Sequence, residues 1–271
     1  MNLQMTRTLT FSAGHRYWFD HLESDENKGL FGEWASPYNH GHNYTLHVTV
    51  EGEINAVNGM IVNIKDIDTV LKTHLLPQFV NRSLNDEVGH FANVAPTVEN
   101  ILAYIWREID RIGLPKEVKL RNLKLEETTT LYGEYDGMKT SLTRIYEFAS
   151  SHRLDAPLLS KEENLKLFGK CNNPAGHGHN YVLEVTVSGV PDSRTGMICS
   201  IDDLDREVTD RVVDRYDHRN LNEDIPEFAG RCTTSENVAV EIFNRLEGHV
   251  PAQLERVRLF ETARNLFEVS R

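Results

Sequence analysis

The chain has 271 residues, 39% hydrophobic and 26% charged, an ordinary globular make-up with room for two domains of about 135 residues each. No apolar run approaches the ~20 residues of a membrane span and the N-terminus has no signal-peptide pattern, so a cytoplasmic protein without a membrane partner is expected. Net charge is −12 and evenly shared, residues 1–140 holding 13 Lys+Arg against 19 Asp+Glu and the rest 16 against 22, so no basic stripe points to nucleic acid, while an anionic small substrate stays open.

In chain order, the first landmark is Phe11-Ser-Ala-Gly-His15, followed 25 residues after the histidine by His40-Gly41-His42-Asn43-Tyr44. Tyr44, Leu46, Val48 and Val50 alternate with Thr45, His47 and Thr49, the period-2 pattern of a half-buried strand. Asp66 to Phe79 has helical spacing, and a second helix is expected from Thr97, an N-cap residue with Glu99 in the first turn. Lys119 to Glu127 returns to strand, and Glu134 to Thr140, with its Asp136-Gly137 turn, reads as a linker.

The pattern then starts again. His152, His177 and His179 repeat His15, His40 and His42 at a constant offset of 137 residues. Leu167-Phe168-Gly169, Gly196-Met197-Ile198, Arg219 to Asn222 and Thr234 to Asn237 repeat Leu30-Phe31-Gly32, Gly59-Met60-Ile61, Arg82 to Asn85 and Thr97 to Asn100. The second helix pair is expected at Asp203 to Tyr216 and from Thr234, and the returning strand at Arg256 to Thr262. A fixed offset held over this length predicts duplicated domains, 1–137 and 138–271, each strand–strand–helix–helix–strand–strand: an α+β fold with two helices against a four-stranded antiparallel sheet.

Histidines two apart on a strand share a face, so His40 with His42, and His177 with His179, aim together, and the preceding strand can supply His15 or His152 as a third ligand. Three imidazoles can hold Zn²⁺ and leave a position open for chemistry. The glycine between them leaves room for a ligand or for close backbone approach. His47 lies on the opposite strand face, its counterpart is Glu184, and it reads as a surface residue; His21, His74, His90 and His249 lack counterparts and receive no role. Cys171, Cys199 and Cys232 are odd in number and confined to the second half, which argues against a disulfide framework. Cys171 lies on a loop six residues before His177, where a thiol can act as base or nucleophile. Asp217 and His218 are adjacent and would act together on a third group. The first repeat has Trp34 in place of Cys171, and Val80-Asn81 in place of Asp217-His218.

Cys171, the His177-Gly-His-Asn-Tyr181 run, Asp217-His218, Thr233 to Asn237 and Phe260-Glu261-Thr262 together resemble the 6-pyruvoyl-tetrahydropterin synthase family, across the whole second repeat and more loosely the first. The five residues between Cys171 and His177 favour it over the bacterial 6-carboxytetrahydropterin synthases, where three are usual. The resemblance implies a lyase that takes 7,8-dihydroneopterin triphosphate to 6-pyruvoyl-tetrahydropterin and triphosphate. It also implies Zn²⁺ on His152, His177 and His179, Cys171 as base, and Asp217 with His218 as its activating relay. Glu261 would anchor the pterin, with Thr234 and Glu236 shaping its pocket. In the first repeat His15, His40 and His42 would keep the metal and Glu127 the pterin anchor, without turnover; the alternatives there are a metal that only staples strands and a different reaction. The alternatives are the 6-carboxy reaction and a non-catalytic pterin-binding protein. Family members are tunnelling-fold proteins whose domains close β-barrels, with the thiol and the Asp–His pair on different subunits. A homotrimer that stacks a barrel of first repeats on one of second repeats is therefore expected, and a dimer closing one four-domain barrel is the rival.

Overall fold

A computed structural model describes residues 2–271, which divide into two compact units. Unit 1 runs to Leu142 and adds Ser188–Ser200; unit 2 holds Thr143–Val187 and Ile201–Arg271. Among the described residues no helix is long and apolar enough to cross a membrane.

The elements of the first repeat are β1 (Asn2–His15), α1 (Ser24–Phe31), β2 (His40–Glu53), α2 (Ile64–Asp68), β3 (Arg82–Ser83), α3 (Leu84–Glu87), α4 (Val98–Ile112), β4 (Val118–Thr128) and β5 (Leu131–Tyr135). The strands lie in the order β3-β1-β2-β4-β5, antiparallel except for the short parallel β3. The expected alternation is realised: Tyr44, Leu46, Val48 and Val50 are buried and the residues between them half-buried. The α4 face formed by Val98, Ile101, Leu102, Ile105 and Ile109 is buried and packs on β4 and β5. Each fully buried aliphatic side chain there stabilises the fold by about 1.5–3 kcal/mol.

Two details depart from the sequence pattern. The helix expected over Asp66 to Phe79 is α2 followed by a π-helical stretch, Thr69–Leu75, and a short 3₁₀ turn. The wider π turn keeps Ile67, Leu71, Leu75 and Phe79 all in the core at four-residue spacing. The helix α1 was not anticipated, although Glu23 and Glu26 close a capping box at its start.

The second repeat gives β6 (Thr140–His152), α5 (Lys161–Phe168), β7 (His177–Gly189), α6 (Ile201–Val208), α7 (Asp214–Tyr216), β8 (Arg219–Asn220), α8 (Ser235–Leu246), β9 (Gln253–Thr262) and β10 (Asn265–Ser270). The order is β10-β9-β7-β6, with the short β8 pairing parallel to Ser150 and Ser151 near the end of β6. Again a π-helical stretch, Thr209–Val213, follows the first long helix, and α8 buries Val238, Ala239, Ile242, Phe243 and Leu246. The expected linker is shorter than its composition suggests. It is a turn at Asp136–Lys139, where Asp136 Oδ1 accepts from the backbone N–H of Met138 and Lys139 and Gly137 takes φ +92°.

Candidate metal centres

The antiparallel register places His15 opposite His40 and Ala13 opposite His42, so three imidazoles meet at one end of the β1–β2 pair. Ring centroids are 4.5 Å apart for His15–His40, 5.1 Å for His15–His42 and 5.0 Å for His40–His42. In unit 2 the same distances are 4.7, 5.2 and 5.0 Å for His152–His177, His152–His179 and His177–His179. In each triplet the ligating atoms all lie within 4.8 Å of one another. The glycine between the paired histidines is explained by backbone approach: a Cβ on Gly41 would stand 3.2 Å from the Ala13 carbonyl, and one on Gly178 3.4 Å from that of Ser150.

Each centre has a tautomer fixed by its surroundings. His15 Nδ1 donates to the Pro96 carbonyl at 2.9 Å, and His152 Nδ1 donates to the Thr233 carbonyl at 2.8 Å. Nε2 of both rings is thereby left as a free lone pair, the arrangement in which a backbone carbonyl orients a metal-binding imidazole. The buried atoms His15 Nε2, His42 Nε2, His152 Nε2, His177 Nδ1 and His179 Nε2 have no hydrogen-bond partner. Buried nitrogens left without partners are costly unless something occupies the space between them. Burial favours the neutral imidazole at His15 and His42: His15 is pushed down to about 3, first by desolvation and then by His40 and His42, and His42 to about 4. His152 and His179 are lowered chiefly by the same desolvation. Convergent, unpartnered imidazole donors fit a divalent metal.

A carboxylate flanks each triplet. Glu127 Oε1 lies 3.8 Å from His42 Nε2, and Glu261 Oε1 lies 3.7 Å from His152 Nε2 and 3.8 Å from His179 Nε2. Glu261 accepts from Ser235 Oγ at 2.7 Å and from Asn265 Nδ2 at 3.2 Å. Burial raises its pKa, yet these hydrogen bonds and the two histidines leave it below the usual carboxylate range. Ser235 escaped the sequence analysis; its replacement by Val98 in the first repeat was the available signal. Thr234 caps α8 by accepting from the Asn237 N–H at 3.4 Å, and Glu236 is exposed.

Cys171 sits half-buried in a 3₁₀ turn, Gly169–Asn172. The turn is tied to the end of β6: the Cys171 carbonyl accepts from the Leu154 N–H at 2.9 Å, and Asn172 Nδ2 donates to the Leu154 carbonyl at 2.6 Å. Asp217 and His218 form their own pair, with His218 Nδ1 and Asp217 Oδ2 2.7 Å apart. Asp217 Oδ1 accepts from the Ala149 N–H at 2.7 Å, the leading reason its carboxyl stays low. His218 lines an open cavity with Gly178, His179 and Asn180; Cys171 is not among the lining residues. Unit 2 thus gathers the three histidines with Glu261 and fixes the thiol turn beside the strand that carries His152.

His218 has φ +55°, a left-handed conformation unfavourable for a side chain, and Asn81, its counterpart, has the same φ. The first repeat therefore keeps the backbone of this turn and loses both the imidazole and, at Val80, the carboxylate. His47 donates to or accepts from Thr8 Oγ1 at 2.9 Å on the other sheet face, away from the metal triplet.

Two α+β repeats, each with a histidine triplet that could hold a metal ion and one with a thiol on a nearby turn, define the class. The sequence model of the 6-pyruvoyl tetrahydropterin synthase family matches residues 4–138 and again 141–271. The 6-pyruvoyl tetrahydrobiopterin synthase of Homo sapiens is 46% identical over 129 residues, 47% of this chain and 89% of that protein. The 6-carboxy-5,6,7,8-tetrahydropterin synthase of Aquifex aeolicus is 26% identical over 161 residues, 50% of this chain and 98% of that one. The solved 6-pyruvoyl tetrahydropterin synthase of Caenorhabditis elegans is 39% identical and covers 48% of this chain and 94% of its own, with a TM-score of 0.47. The chain belongs to the 6-pyruvoyl tetrahydropterin synthase family, with the family domain present twice, and is a lyase of that family's kind.

Proposed function

We propose that residues 138–271 form the catalytic domain of a zinc-dependent, cytoplasmic lyase that converts 7,8-dihydroneopterin triphosphate to 6-pyruvoyl-tetrahydropterin and triphosphate, and that residues 1–137 form a degenerate copy. The supporting observation is the unit 2 constellation: three unpartnered imidazole nitrogens, Glu261 beside them and the Cys171 turn tied to the strand end after His152.

Zn²⁺ held by His152, His177 and His179 would supply Lewis acidity toward the substrate's side-chain hydroxyls. Cys171, as thiolate, takes the carbon-bound proton whose loss starts the expulsion of triphosphate and the tautomerisation. Glu261 holds the pterin, because an ionised carboxylate accepts two hydrogen bonds from the ring N–H and amino edge. Thr234 and Glu236 border that pocket at the start of α8. Asp217 and His218 relay protons to Cys171 where a second chain delivers them. A homotrimer of stacked barrels sets like repeats side by side and makes that delivery. A two-chain barrel alternates the repeats and sets Val80 and Asn81 opposite Cys171.

In the first repeat, His15, His40 and His42 keep the metal and Glu127 keeps the pterin anchor. Trp34 packs against the cluster of Tyr17, Phe31 and Met197 and has no basic atom to take a proton from a substrate carbon. This copy binds without turning over. The Aquifex relative's name supports a second reading, the 6-carboxy reaction, which also releases acetaldehyde. Incubation with 7,8-dihydroneopterin triphosphate and mass analysis of the products tests the proposal: the 6-pyruvoyl product is expected, and the 6-carboxy product or unchanged substrate would overturn it.

A further inference from the structure

An arginine follows the first histidine of each triplet, and its backbone is held the same way in both repeats. Asn85 Oδ1 accepts from the Arg16 N–H at 2.9 Å and Asn85 Nδ2 donates to the Arg16 carbonyl at 3.1 Å; Asn222 makes the same two contacts with Arg153 at 2.7 and 3.0 Å. The guanidinium groups then part. Arg16 forks onto both oxygens of Asp86 at 2.9 Å and adds Asn39 at 3.1 Å and Asp20 at 3.2 Å. Arg153 turns instead to the residue after the thiol: Nε donates to the Asn172 carbonyl at 3.1 Å, and Nη2 to Asn172 Oδ1 at 3.2 Å.

Asn172 is 6% exposed and uses its whole amide. Its Nδ2 donates to the Leu154 carbonyl at 2.6 Å and to Asp155 Oδ1 at 2.8 Å, while Oδ1 accepts from Arg153. Asp155 Oδ1 also lies 3.3 Å from Arg153 Nη2. With the Leu154 N–H on the Cys171 carbonyl, residues 171 and 172 are fastened to 153, 154 and 155. A buried amide bonded in this way cannot shift without stranding polar groups. In the first repeat Ala35 stands in place of Asn172, Trp18 in place of Asp155 and Trp34 in place of Cys171. The backbones still meet there, Tyr17 pairing with Ala35, so the turn closes without the side-chain clamp. The clamp accompanies the thiol, not the fold of the turn.

A base that removes a proton from carbon acts only at close, aligned range, and a misplacement of about 1 Å costs on the order of 10²-fold. A 3₁₀ turn of four residues has little rigidity of its own. We propose that Asn172 and Arg153 are positioning residues for the Cys171 thiol, with Asp155 orienting both, a role that rests on the lyase reading for what the thiol does. The clamp fixes the thiol relative to His152, because Arg153 is the residue next to that histidine.

Asn172→Ala installs the first repeat's residue. It should lower kcat about 10–100-fold, with KM within about twofold and metal content unchanged. Iodoacetamide should alkylate its Cys171, followed by peptide mass, about threefold faster or more, because the turn opens more often. Asp155 is half-exposed, and Asp155→Ala should move kcat and the alkylation rate the same way by less. Arg153→Gln should lower kcat, whereas Arg16→Gln, beside the other triplet but bound to Asp86, should leave kcat and Cys171 alkylation unchanged. Wild-type kcat in Asn172→Ala, a loss confined to KM, a loss accompanied by metal release, or an equal loss in Arg16→Gln overturns the proposal. Should the wild type leave 7,8-dihydroneopterin triphosphate untouched, the lyase reading falls and alkylation alone judges the clamp: a Cys171 rate unchanged by Asn172→Ala and Asp155→Ala overturns it.

Discussion

The two repeats share a strand order, a histidine triplet, a tautomer-fixing carbonyl and even the left-handed turn at Asn81 and His218, yet differ at two places, Trp34 against Cys171 and Val80-Asn81 against Asp217-His218. Trp34 packs into an apolar cluster, whereas Cys171 presents a half-buried thiol on a turn held by hydrogen bonds to the strand end. Duplication kept the scaffold because its residues are bound up with folding: the histidines end strands whose other positions are core. On the proposed reading, the metal ligands and the proton-moving groups are therefore separable in this fold.

The sharpest way to break that comparison is at the thiol. Cys171→Ala should lower turnover by about 10²–10⁴-fold or more without changing metal content, while Trp34→Ala leaves turnover intact; both are read by steady-state assay and metal analysis. Asp217→Asn then separates the assemblies: about 10²-fold or more is lost where like repeats meet, and little in a two-chain ring with Val80 and Asn81 opposite the thiol. The metal sites sharpen it next. His177→Ala should halve the zinc per chain and abolish turnover, whereas His40→Ala should halve the zinc and spare turnover.

Stability effects are smaller. Gly196→Ala forces a Cβ into Asn100 as well as a strained φ, and should cost more than about 2 kcal/mol in denaturant unfolding. Gly59→Ala meets open space and should cost only the backbone strain, about 1 kcal/mol. Equal losses would mean that the close packing of Gly196 against Asn100 contributes nothing. Smallest of all, His218→Asn installs the first repeat's residue in the left-handed turn and should stabilise the chain by roughly 0.5 kcal/mol, because Asn tolerates that conformation better.

Much of this was legible in the residues alone. The 137-residue offset announced two like domains, period-2 alternation from Tyr44 to Val50 placed a strand, and two histidines separated by one glycine had to share its face. These are local facts, set by backbone periodicity and side-chain spacing. The helices α1 and α5 were written in capping boxes, Glu23 with Glu26 and Ser160 with Glu163, that short polar stretches conceal. Other features had no local signature. That Pro96 and Thr233 would lend carbonyls to the histidines, that Ser235 would hold Glu261, and that the Arg16 guanidinium would find Asp86 depend on segments tens of residues apart meeting in space. Sequence spacing determines which way a side chain points along its own strand or helix. Only the packing of distant segments decides what it meets there, because burial, desolvation and hydrogen-bond partners belong to the folded neighbourhood rather than to the residue.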